Sequence, residues 1–376
     1  MSEWKECKLG DLINEGTAKL QTGPFGTMLN ASEYVSNGIP VIAVQDIADN
    51  KLIHHKFVYV DIETASRLSR YCVKENDIIF GRKGAVERRA IIKKSEEGWL
   101  QGSDCIRLRF TELIYPQFIS YQFGSQMYKD WMAQNSTGAT MPSLNQDVLK
   151  QLPIRFPTFS EQKSIAQVLS SIDNKIDLLH RQNATLEAMA ETLFRQWFVE
   201  EAKEDWEIVK LDTLILISSG KGLKRDDFCK TGKYPVLGAN GEIGRTNMYL
   251  LDEKLLFTGR VGTLGNIFRV ENEKVWLSDN TLIIKAIEYY NFIYFILKAA
   301  KLDGYNVGST QPLIRQSDLK EIEVNLPPNT KLVEFEEQCD ILFRKISQNQ
   351  AQIRTLTTLR DTLLPKLMSG EVRVKM

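Results

Sequence analysis

The sequence predicts an α+β protein with two similar mixed α/β domains, each followed by a long helix, and the two helices form an antiparallel coiled coil. Three observations support this fold class: an internal repeat, short β-branched segments between glycine-containing turns, and two long heptad-patterned segments. Antiparallel pairing of two copied helices would relate the domains by a pseudo-twofold axis. The expected boundaries are a first domain at 1–158, a central helix at 159–200, a second domain at 201–328, and a distal helix with the C-terminal tail at 329–376.

The internal repeat is carried by motifs that keep their order in both halves. The separation between matching motifs shrinks stepwise along the chain, as expected if the second half lost short loop segments. The matches are Trp4 and Leu9 with Trp206 and Leu211, Ile39–Ile42 with Tyr234–Leu237, Ile79–Gly84 with Phe257–Gly262, Ser103 and Asp104 with Ser278 and Asp279, and Gly138, Pro142 and Pro157 with Gly308, Pro312 and Pro327. Chance rarely produces such a series in one order, so the halves are predicted to share one fold.

Within each half, short β-branched and aromatic runs bounded by glycine and polar residues predict strands, and helical segments follow them. The predicted strands are Ile39–Val44, Asp77–Phe80, Ala90–Ile92 and Ile106–Phe110. The predicted helical segments are Pro116–Gln134 in the first half and Tyr289–Lys301 in the second.

The central helix is predicted from Ser160 to about Phe198, a stretch without proline or glycine. Ser160, followed by Glu161 and Gln162, resembles an N-cap region. Two interleaved seven-residue series then give the pattern of a coiled-coil seam. The series are Ile165, Ile172, Leu179, Leu186 and Leu193, and Leu169, Ile176, Asn183, Ala190 and Trp197.

The distal helix repeats the same register, with every seam position at one constant separation from its counterpart in the central helix. Its series are Phe335, Leu342, Asn349, Leu356 and Leu363, and Cys339, Ile346, Ile353, Arg360 and Leu367. Leu367 follows Pro365, and proline disrupts helices, so this position is expected outside the helix. The heptads allow two arrangements: each helix packs on its own domain, or the two helices pack together.

Each seam contains one asparagine, and these two residues suggest a register for antiparallel pairing. If residue i faces residue 532 − i, Asn183 meets Asn349 and the two amides satisfy one another. A buried asparagine is known to fix the register of paired helices. In this arrangement only Ile172, opposite Arg360, makes a poor layer.

Composition excludes several classes of protein. With 48 basic and 48 acidic residues the net charge is zero, which argues against DNA as the sole partner, although partner subunits can share the phosphate contacts. Five scattered cysteines (Cys7, Cys72, Cys105, Cys229 and Cys339) and three histidines fit neither a disulfide framework nor a metal site. We therefore expect a cytoplasmic protein without a membrane partner, since membrane-length apolar runs and a signal-peptide pattern are both lacking.

Two similar domains on a helical rod would present two similar faces a constant distance apart. Symmetric DNA readers work in this way, because module spacing sets half-site spacing. Since the two halves have diverged, the predicted target is bipartite and asymmetric, with an unread spacer.

The order and duplication of several motifs resemble the specificity subunits of type I restriction-modification enzymes across essentially the whole chain. The motifs are Trp-x-x-x-x-Leu at Trp4 and Trp206, the Gly-Arg-x-Gly turns at Gly81–Gly84 and Gly259–Gly262, the proline-bounded helix entry with Leu152, Pro153, Pro157, Glu161 and Gln162, and the ending from Leu363 to Glu371. The first half departs from this pattern at one position. Glu87 stands there, whereas the second half has Gly265 three residues after its Gly-Arg-x-Gly turn.

The resemblance implies that each globular half is a target recognition domain for one half-site of double-stranded DNA. It also implies that the helices hold two modification subunits, which bind S-adenosylmethionine and methylate adenine, and that translocase-nuclease subunits join for cleavage. No cofactor is expected in this chain itself.

Candidate DNA contacts are polar and basic residues in turns and loops, because base edges and phosphates are read by such side chains. In the first half they are Gln45, Arg82, Lys83, Arg88, Arg89, Thr137 and Thr140. In the second half they are Lys221, Lys224, Arg225, Asn240, Arg260, Thr310 and Gln311. The alternative for Arg82 and Arg260 is a structural role in a hairpin, paired with a nearby acid.

Catalysis by this chain is poorly supported. The sequence lacks the Asn/Asp-Pro-Pro-Tyr/Phe tetrapeptide that holds a flipped adenine, the glycine-rich cofactor turn of methyltransferases, and a phosphate-binding loop. A non-catalytic DNA-recognition subunit is therefore predicted. A coiled-coil scaffold that binds only protein, and a self-contained methyltransferase or nuclease, stay open as alternatives.

Overall fold

A computed structural model describes residues 4–53, 57–111, 113–138, 142–305 and 312–374. The chain forms two compact units: Met1–Asp177 with Ile353–Met376, and Leu178–Gln352. Each unit therefore contains one globular half together with one end of each long helix, and we describe each unit by itself.

The first globular half is built from eleven strands and five α-helices within the described residues. They are β1 (Lys5–Lys8), α1 (Leu9–Asn14), β2 (Ala18–Thr22), β3 (Tyr34–Val35), β4 (Ile39–Ile42), β5 (Asp49–Asn50), β6 (Val58–Val60), α2 (Ile62–Arg67), β7 (Ile78–Gly81), β8 (Arg89–Ile91), β9 (Leu100–Gln101), β10 (Cys105–Phe110), α3 (Pro116–Phe123), α4 (Gln126–Asn135), α5 (Gln146–Lys150) and β11 (Pro153–Phe156). The main sheet has the order β2-β10-β7-β8-β5, a second sheet has the order β3-β6-β4-β9, and β1 pairs with β11.

The central strand β7 is buried on both faces, which explains its uninterrupted apolar sequence. Ile78 and Phe80 pack into the larger core with α3, whereas Ile79 faces a smaller core on the other side of the sheet. This alternation follows from the two-residue period of a strand. The larger core also contains Leu169 from the central helix and Leu367 from the distal helix.

The second globular half repeats this order with fewer elements. They are β12 (Glu207–Lys210), β13 (Ile215–Ser219), β14 (Tyr234–Gly238), β15 (Gly241–Thr246), β16 (Leu255–Gly259), β17 (Ile267–Val270), β18 (Trp276–Leu277), β19 (Thr281–Ala286), α7 (Tyr290–Ala299), α8 (Gln316–Lys320) and β20 (Glu323–Leu326). The sheet β13-β19-β16-β17 has the same order as β2-β10-β7-β8, and β14 pairs in parallel with β18 as β4 does with β9. The predicted internal repeat is thus a repeat of topology.

The second core is dominated by aromatic rings from both long helices and α7. Phe194 packs against Phe295 with ring centroids 5.4 Å apart, and Phe198 packs against Phe335 at 4.9 Å. Burying such rings removes a large apolar area from water and is a principal source of stability. The second domain therefore completes its core with residues of both helices.

The central helix, α6, runs from Phe159 to Arg195 and continues as a π-helical turn over Gln196–Glu200. The expected cap at Ser160 is wrong. Thr158 holds that position instead, since the Glu161 N–H donates to its Oγ1 at 3.5 Å and the Gln162 N–H to its carbonyl at 2.9 Å. The helix therefore begins one residue earlier than predicted.

The distal helix, α9, runs from Asn329 to Ser369 and includes Pro365. The expectation that Leu367 lies outside the helix is wrong. Leu367 and Met368 are buried in the core of the first unit, and this burial stabilises a helical turn that a proline would otherwise disfavour.

In the second unit the two helices run antiparallel. Asn349 donates from Nδ2 to Asn183 Oδ1 at 2.9 Å, and the Trp197 and Phe335 rings lie 6.2 Å apart. In both contacts the residue numbers sum to 532, the register predicted from the heptads. Asn349 is 1% exposed, so its amide depends on a partner within the protein.

The first unit contains a second polar contact between the helices. Arg360 Nη1 lies 3.1 Å from Asp173 Oδ1, and the Tyr121 hydroxyl donates to Asp173 Oδ2 at 2.7 Å. The poor layer expected for Ile172 and Arg360 is avoided because the guanidinium pairs with the next residue along α6.

We expect Asn349→Leu to lower the free energy of unfolding by about 1–3 kcal/mol, because the Asn183 amide loses its partner. The double variant Asn183→Leu, Asn349→Leu should recover most of this loss, since both polar groups are then removed. Urea denaturation followed by circular dichroism measures both values. Gln350→Leu, at an exposed neighbouring position, is the matched control, and an equal loss in the control would contradict the prediction.

Candidate nucleic-acid interface

The candidate interface lies at one edge of each main sheet. In the first half the pairs Thr22 with Ile106 and Gly81 with Cys105 bring the ends of β2 and β7 beside the start of β10. The second half has the same arrangement, with Ser219 beside Leu282 and Gly259 beside Thr281. We call the loops at these strand ends the loop edge of each half.

The opposite edge of the first sheet leads to the long helix. The residues after β10 reach Tyr115, whose N–H donates to Gln162 Oε1 at 2.8 Å at the start of α6. Within the first unit, the loop edge and the helix start therefore lie at opposite edges of the sheet.

The Gly-Arg-x-Gly turn of the first half is held by three backbone hydrogen bonds. The Arg82 N–H donates to the Asp104 carbonyl at 2.7 Å, and the Gly84 N–H donates to the Pro142 carbonyl at 2.9 Å. The Arg82 carbonyl accepts from the Leu144 N–H at 2.8 Å. Gly84 has φ +78°, a conformation that L side chains rarely adopt.

The second half reproduces these bonds one for one. The Arg260 N–H donates to the Asn280 carbonyl at 2.8 Å, and the Gly262 N–H donates to the Pro312 carbonyl at 3.0 Å. The Arg260 carbonyl accepts from the Ile314 N–H at 3.0 Å. Gly262 has φ +89°. The two turns therefore share a backbone frame that holds each arginine at the same place in its half.

The turns differ where the sequence departs from the repeat. Gly265 has φ +91°, whereas Glu87 adopts no positive φ, and the first turn closes with a bond from Arg88 N–H to the Ala85 carbonyl at 3.1 Å. Arg88 therefore follows a turn geometry that the second half does not share.

A second loop lies against each turn. The two approach so closely that a Cβ added to Gly81 would lie 3.0 Å from Val44 Cγ1, and one added to Gly259 would lie 2.9 Å from Ala239 Cβ. The residues that follow, Gln45 and Asn240, both carry carboxamides that reach solvent. These two loops place a carboxamide beside each arginine turn.

Most of the predicted first-half contacts are accessible. Arg88, Gln45 and Arg82 all reach solvent at least in part. Lys83 is also exposed, and its Nζ lies 3.3 Å from Asp104 Oδ1. Thr137 is exposed and donates through Oγ1 to the Ser143 carbonyl at 3.2 Å. Thr140 lies outside the described residues.

Arg89 is the exception, and the prediction that it contacts DNA is wrong. Its side chain is 2% exposed, its Nε donates to the Ser120 carbonyl at 2.5 Å, and its Nη1 pairs with Asp49. Burial lowers the pKa of this guanidinium, and Asp49 opposes that shift. Because β8 begins at Arg89, the strand's pleat turns its side chain inward, whereas Arg88 stays in the turn.

In the second half the predicted basic residues are accessible. Lys221, Lys224, Arg225 and Arg260 all reach solvent, and Asn240 accepts a hydrogen bond from Asn266 at 3.1 Å. Thr310 and Gln311 lie outside the described residues.

The sequence interpretation missed the loop after β2, which also belongs to the loop edge. Gly23 donates to the Cys105 carbonyl at 3.0 Å, and a Cβ there would lie 1.8 Å from the Gly102 carbonyl. The loop presents Phe25, which is 60% exposed. The Gly-Pro-x-Gly sequence that begins at Gly23 could have indicated a loop here. The equivalent segment of the second half is Gly220–Gly222.

Among the described residues, no cluster of histidine, cysteine, aspartate and glutamate has the composition of a metal site. Nor does any described helix have the length and apolarity that a membrane span requires. All five cysteines lie in the described part of the chain and are free thiols.

The family described as a type I restriction modification DNA specificity domain matches residues 1–188 and 203–355. The chain is 26% identical over 432 residues to the type I restriction enzyme MjaIX specificity subunit of Methanocaldococcus jannaschii, covering 100% of this chain and 97% of that protein. It is 19% identical to the HindI specificity subunit of Haemophilus influenzae, with 99% and 100% covered. The crystal structure of a type I restriction-modification S subunit from M. genitalium aligns with a TM-score of 0.65 at 18% identity, covering 100% and 97%, which shows a shared fold.

The burial of Arg89 beside an accessible Arg88 gives a matched stability test. Arg89→Ala should lower the free energy of unfolding by about 2–3 kcal/mol, because the Ser120 carbonyl and Asp49 lose a charged donor. Arg88→Ala should change it by less than about 0.5 kcal/mol, as expected for a surface side chain. Chemical denaturation of the two variants measures this difference, and equal effects would show that Arg89 is not a buried anchor.

Proposed function

The chain belongs to the family of type I restriction-modification DNA specificity domains, and from this premise we propose that its two globular halves read two different half-sites of one DNA target. It is a specificity subunit, and its role in such a system is DNA recognition rather than catalysis. The proposed recognition domains are 1–158 and 201–328, with the helical segments 159–200 and 329–376 as their shared support.

The observation that carries the proposal is a shared frame with different side chains. Arg82 and Arg260 occupy the same hydrogen-bonded turn in the two halves. The position of Arg88 is held by Asn266 in the second half, and the two glycine-containing loops after β2 and β13 differ in sequence. Shared groups cannot distinguish two half-sites, whereas groups that differ can.

We assign roles from the chemistry of each side chain. Arg82 and Arg260 contact phosphates, which orients each domain without reading sequence. Arg88 has the bidentate geometry that suits guanine, and the carboxamides of Gln45 and Asn240 suit adenine. Lys83, Lys221, Lys224 and Arg225, with the threonine-containing loops, supply further contacts to the backbone.

The proposed partners are other subunits of a type I restriction-modification complex. Met189 is 50% exposed and Leu359 is 45% exposed, and these residues lie at equivalent positions of the two copied helices. Each is accompanied by small side chains nearby on its helix, Ala188 and Thr192 or Thr358 and Thr362. We call these two groups the helix patches, because an apolar side chain exposed at the same position of both copied helices suits two equivalent protein contacts.

We propose that each patch binds one modification subunit, which carries S-adenosylmethionine, so that one chain binds two. Translocase-nuclease subunits would join this assembly for cleavage, and the complex would act in the cytoplasm. Phosphate contacts shared with these subunits account for the neutral charge of the chain.

The experiment that tests the function is methylation mapping in cells that express this chain with its modification subunit. The expected result is one adenine-methylated motif with two different specified parts and an unread spacer. Methylation by this chain alone would indicate an enzyme, and the absence of a motif in a stably formed complex would indicate a protein-binding scaffold.

Arg88→Ala is expected to relax base preference in one half-site only. The loss of one bidentate contact should reduce discrimination there by about 1–3 kcal/mol and leave the other half-site unchanged. Binding of the assembled complex to a set of single-base variants of the motif measures both effects.

Asn240→Ala tests the base-reading residue that we assign to the second domain and should relax the other half-site. Arg82→Ala should weaken binding to all variants equally and lower the salt dependence by about one released counterion. Equal relaxation of both half-sites by Arg88→Ala would contradict the assignment of one domain to each.

Met189→Glu and Leu359→Glu are each expected to reduce the complex from two modification subunits to one, because a charge placed in an apolar contact is strongly unfavourable. Native mass spectrometry counts the subunits. The matched control is Gln182→Glu, which adds the same charge at an exposed position of the central helix. Retention of both subunits in both variants would show that these patches are not the docking sites.

A further inference from the structure

The two long helices are copies of one another, and this creates an ambiguity that a single chain must resolve. Most equivalent seam positions are apolar in both helices. They include Ile172 and Leu342, Ile176 and Ile346, Leu186 and Leu356, and Leu193 and Leu363. With these residues alone, α6 would pair as well with α6 of a second chain as with its own α9.

The copies differ in polarity at only a few seam positions. Asn183 corresponds to Ile353, Asn349 to Leu179, and Arg360 to Ala190. Asp173, which flanks the seam, corresponds to Phe343. These polar residues are the ones that contact each other across the helices in the structure.

Within the second unit, the Asn349 amide donates to Asn183 at 2.9 Å and is almost completely buried. Within the first unit, Arg360 lies 3.1 Å from Asp173, and both side chains are about one-third exposed, at 32% and 27%. Pairing of α6 with α9 thus gives each of the four polar side chains a polar partner.

Pairing of identical helices in the same register would remove all of these partners. Residue i of α6 would face residue 362 − i of the second copy, so that Asn183 faces Leu179 and Asp173 comes next to Ala190. In a pair of α9 helices, Asn349 would face Ile353 and Arg360 would come next to Phe343. A buried amide facing a leucine or isoleucine keeps its desolvation cost and gains no hydrogen bond.

We propose that the Asn183–Asn349 and Asp173–Arg360 pairs make α6 select α9 and reject the same helix of a second copy of this chain. The asparagine pair contributes most, because Asn349 is buried and an unmatched amide there is costly. The ion pair contributes less, since both groups can be hydrated when they separate.

The consequence is that each helix pair carries one copy of each globular half. A dimer with identical helices paired would instead place two copies of the same half on one helix pair. The inference rests on the helix contacts alone and does not depend on DNA recognition.

The decisive variant moves one asparagine to the equivalent position of the other helix: Asn183→Ile with Ile353→Asn. In the single chain, Asn349 then faces the new isoleucine and the new asparagine faces Leu179, so two amides are unmatched. In a pair of α9 helices, positions 349 and 353 face each other and both carry asparagine, while the α6 pair is apolar. The balance between the two arrangements should shift toward the dimer by on the order of a hundredfold.

Dimers with identical helices paired are detected by disulfide formation in the full chain. Ile176→Cys and Leu186→Cys face each other only when two α6 helices pair, because within one helix they lie about 15 Å apart. The cysteine pair is placed in the wild-type background and in the Asn183→Ile, Ile353→Asn background, and crosslinked chains are counted on non-reducing gels. We expect crosslinked dimers in the second background and a much smaller fraction in the first.

Asn183→Ile with Asn349→Leu provides a second variant, the asparagine-free variant, which keeps the Asp173–Arg360 pair and whose helices keep the capacity to pair. It should give an intermediate crosslinked fraction, because neither arrangement then has an unmatched asparagine. Circular dichroism establishes whether each variant is folded. If the variant Asn183→Ile with Ile353→Asn does not fold, the asparagine-free variant tests the proposal. Crosslinking no higher than in the wild-type background, in a folded variant, would overturn the proposal.

Discussion

Each globular half completes its core with residues from both long helices, and the rest of the structure depends on this constraint. The first core includes Leu169 of α6 and Leu367 of α9, and the second includes Phe194 of α6 and Phe335 of α9. The hydrophobic effect thereby couples the folding of each domain to the pairing of the helices. An error in helix register would expose apolar surface in a domain core, so polar contacts that fix the register have structural consequences beyond the seam.

The sheets give the two halves comparable loop edges. Antiparallel pairing with β10 and β19 brings the ends of β2 and β7, and of β13 and β16, to one edge. The backbone bonds around Arg82 and Arg260 hold the turns there in the same geometry. Since the frame uses only backbone groups and glycine conformations, the side chains on it are free to differ. The proposed reading of two different half-sites depends on this separation of frame and side chains.

Patterns with a long period were predictable from the sequence, whereas local geometry was not. The heptads identified the seam and placed Asn183 opposite Asn349, because helical periodicity projects directly onto one face. The predicted helix start was wrong because it depends on which of two neighbouring hydroxyl residues caps the helix, and Thr158 accepts those bonds. The predicted effect of Pro365 was wrong because Leu367 is buried in the core of the first unit. Arg88 and Arg89 look alike as sequence neighbours, yet the start of β8 buries one and leaves the other in solvent.

The sequence by itself determined the duplicated architecture, the antiparallel register and the family to which the chain belongs, because repeats and heptads are properties of residue order. Only the tertiary structure decided which basic residues are exposed to solvent, because accessibility depends on strand pleating and on packing against distant residues such as Ser120. It also showed that Arg360 pairs with Asp173 rather than opposing Ile172. A charged side chain is long enough to reach the nearest partner, and that partner is decided in three dimensions.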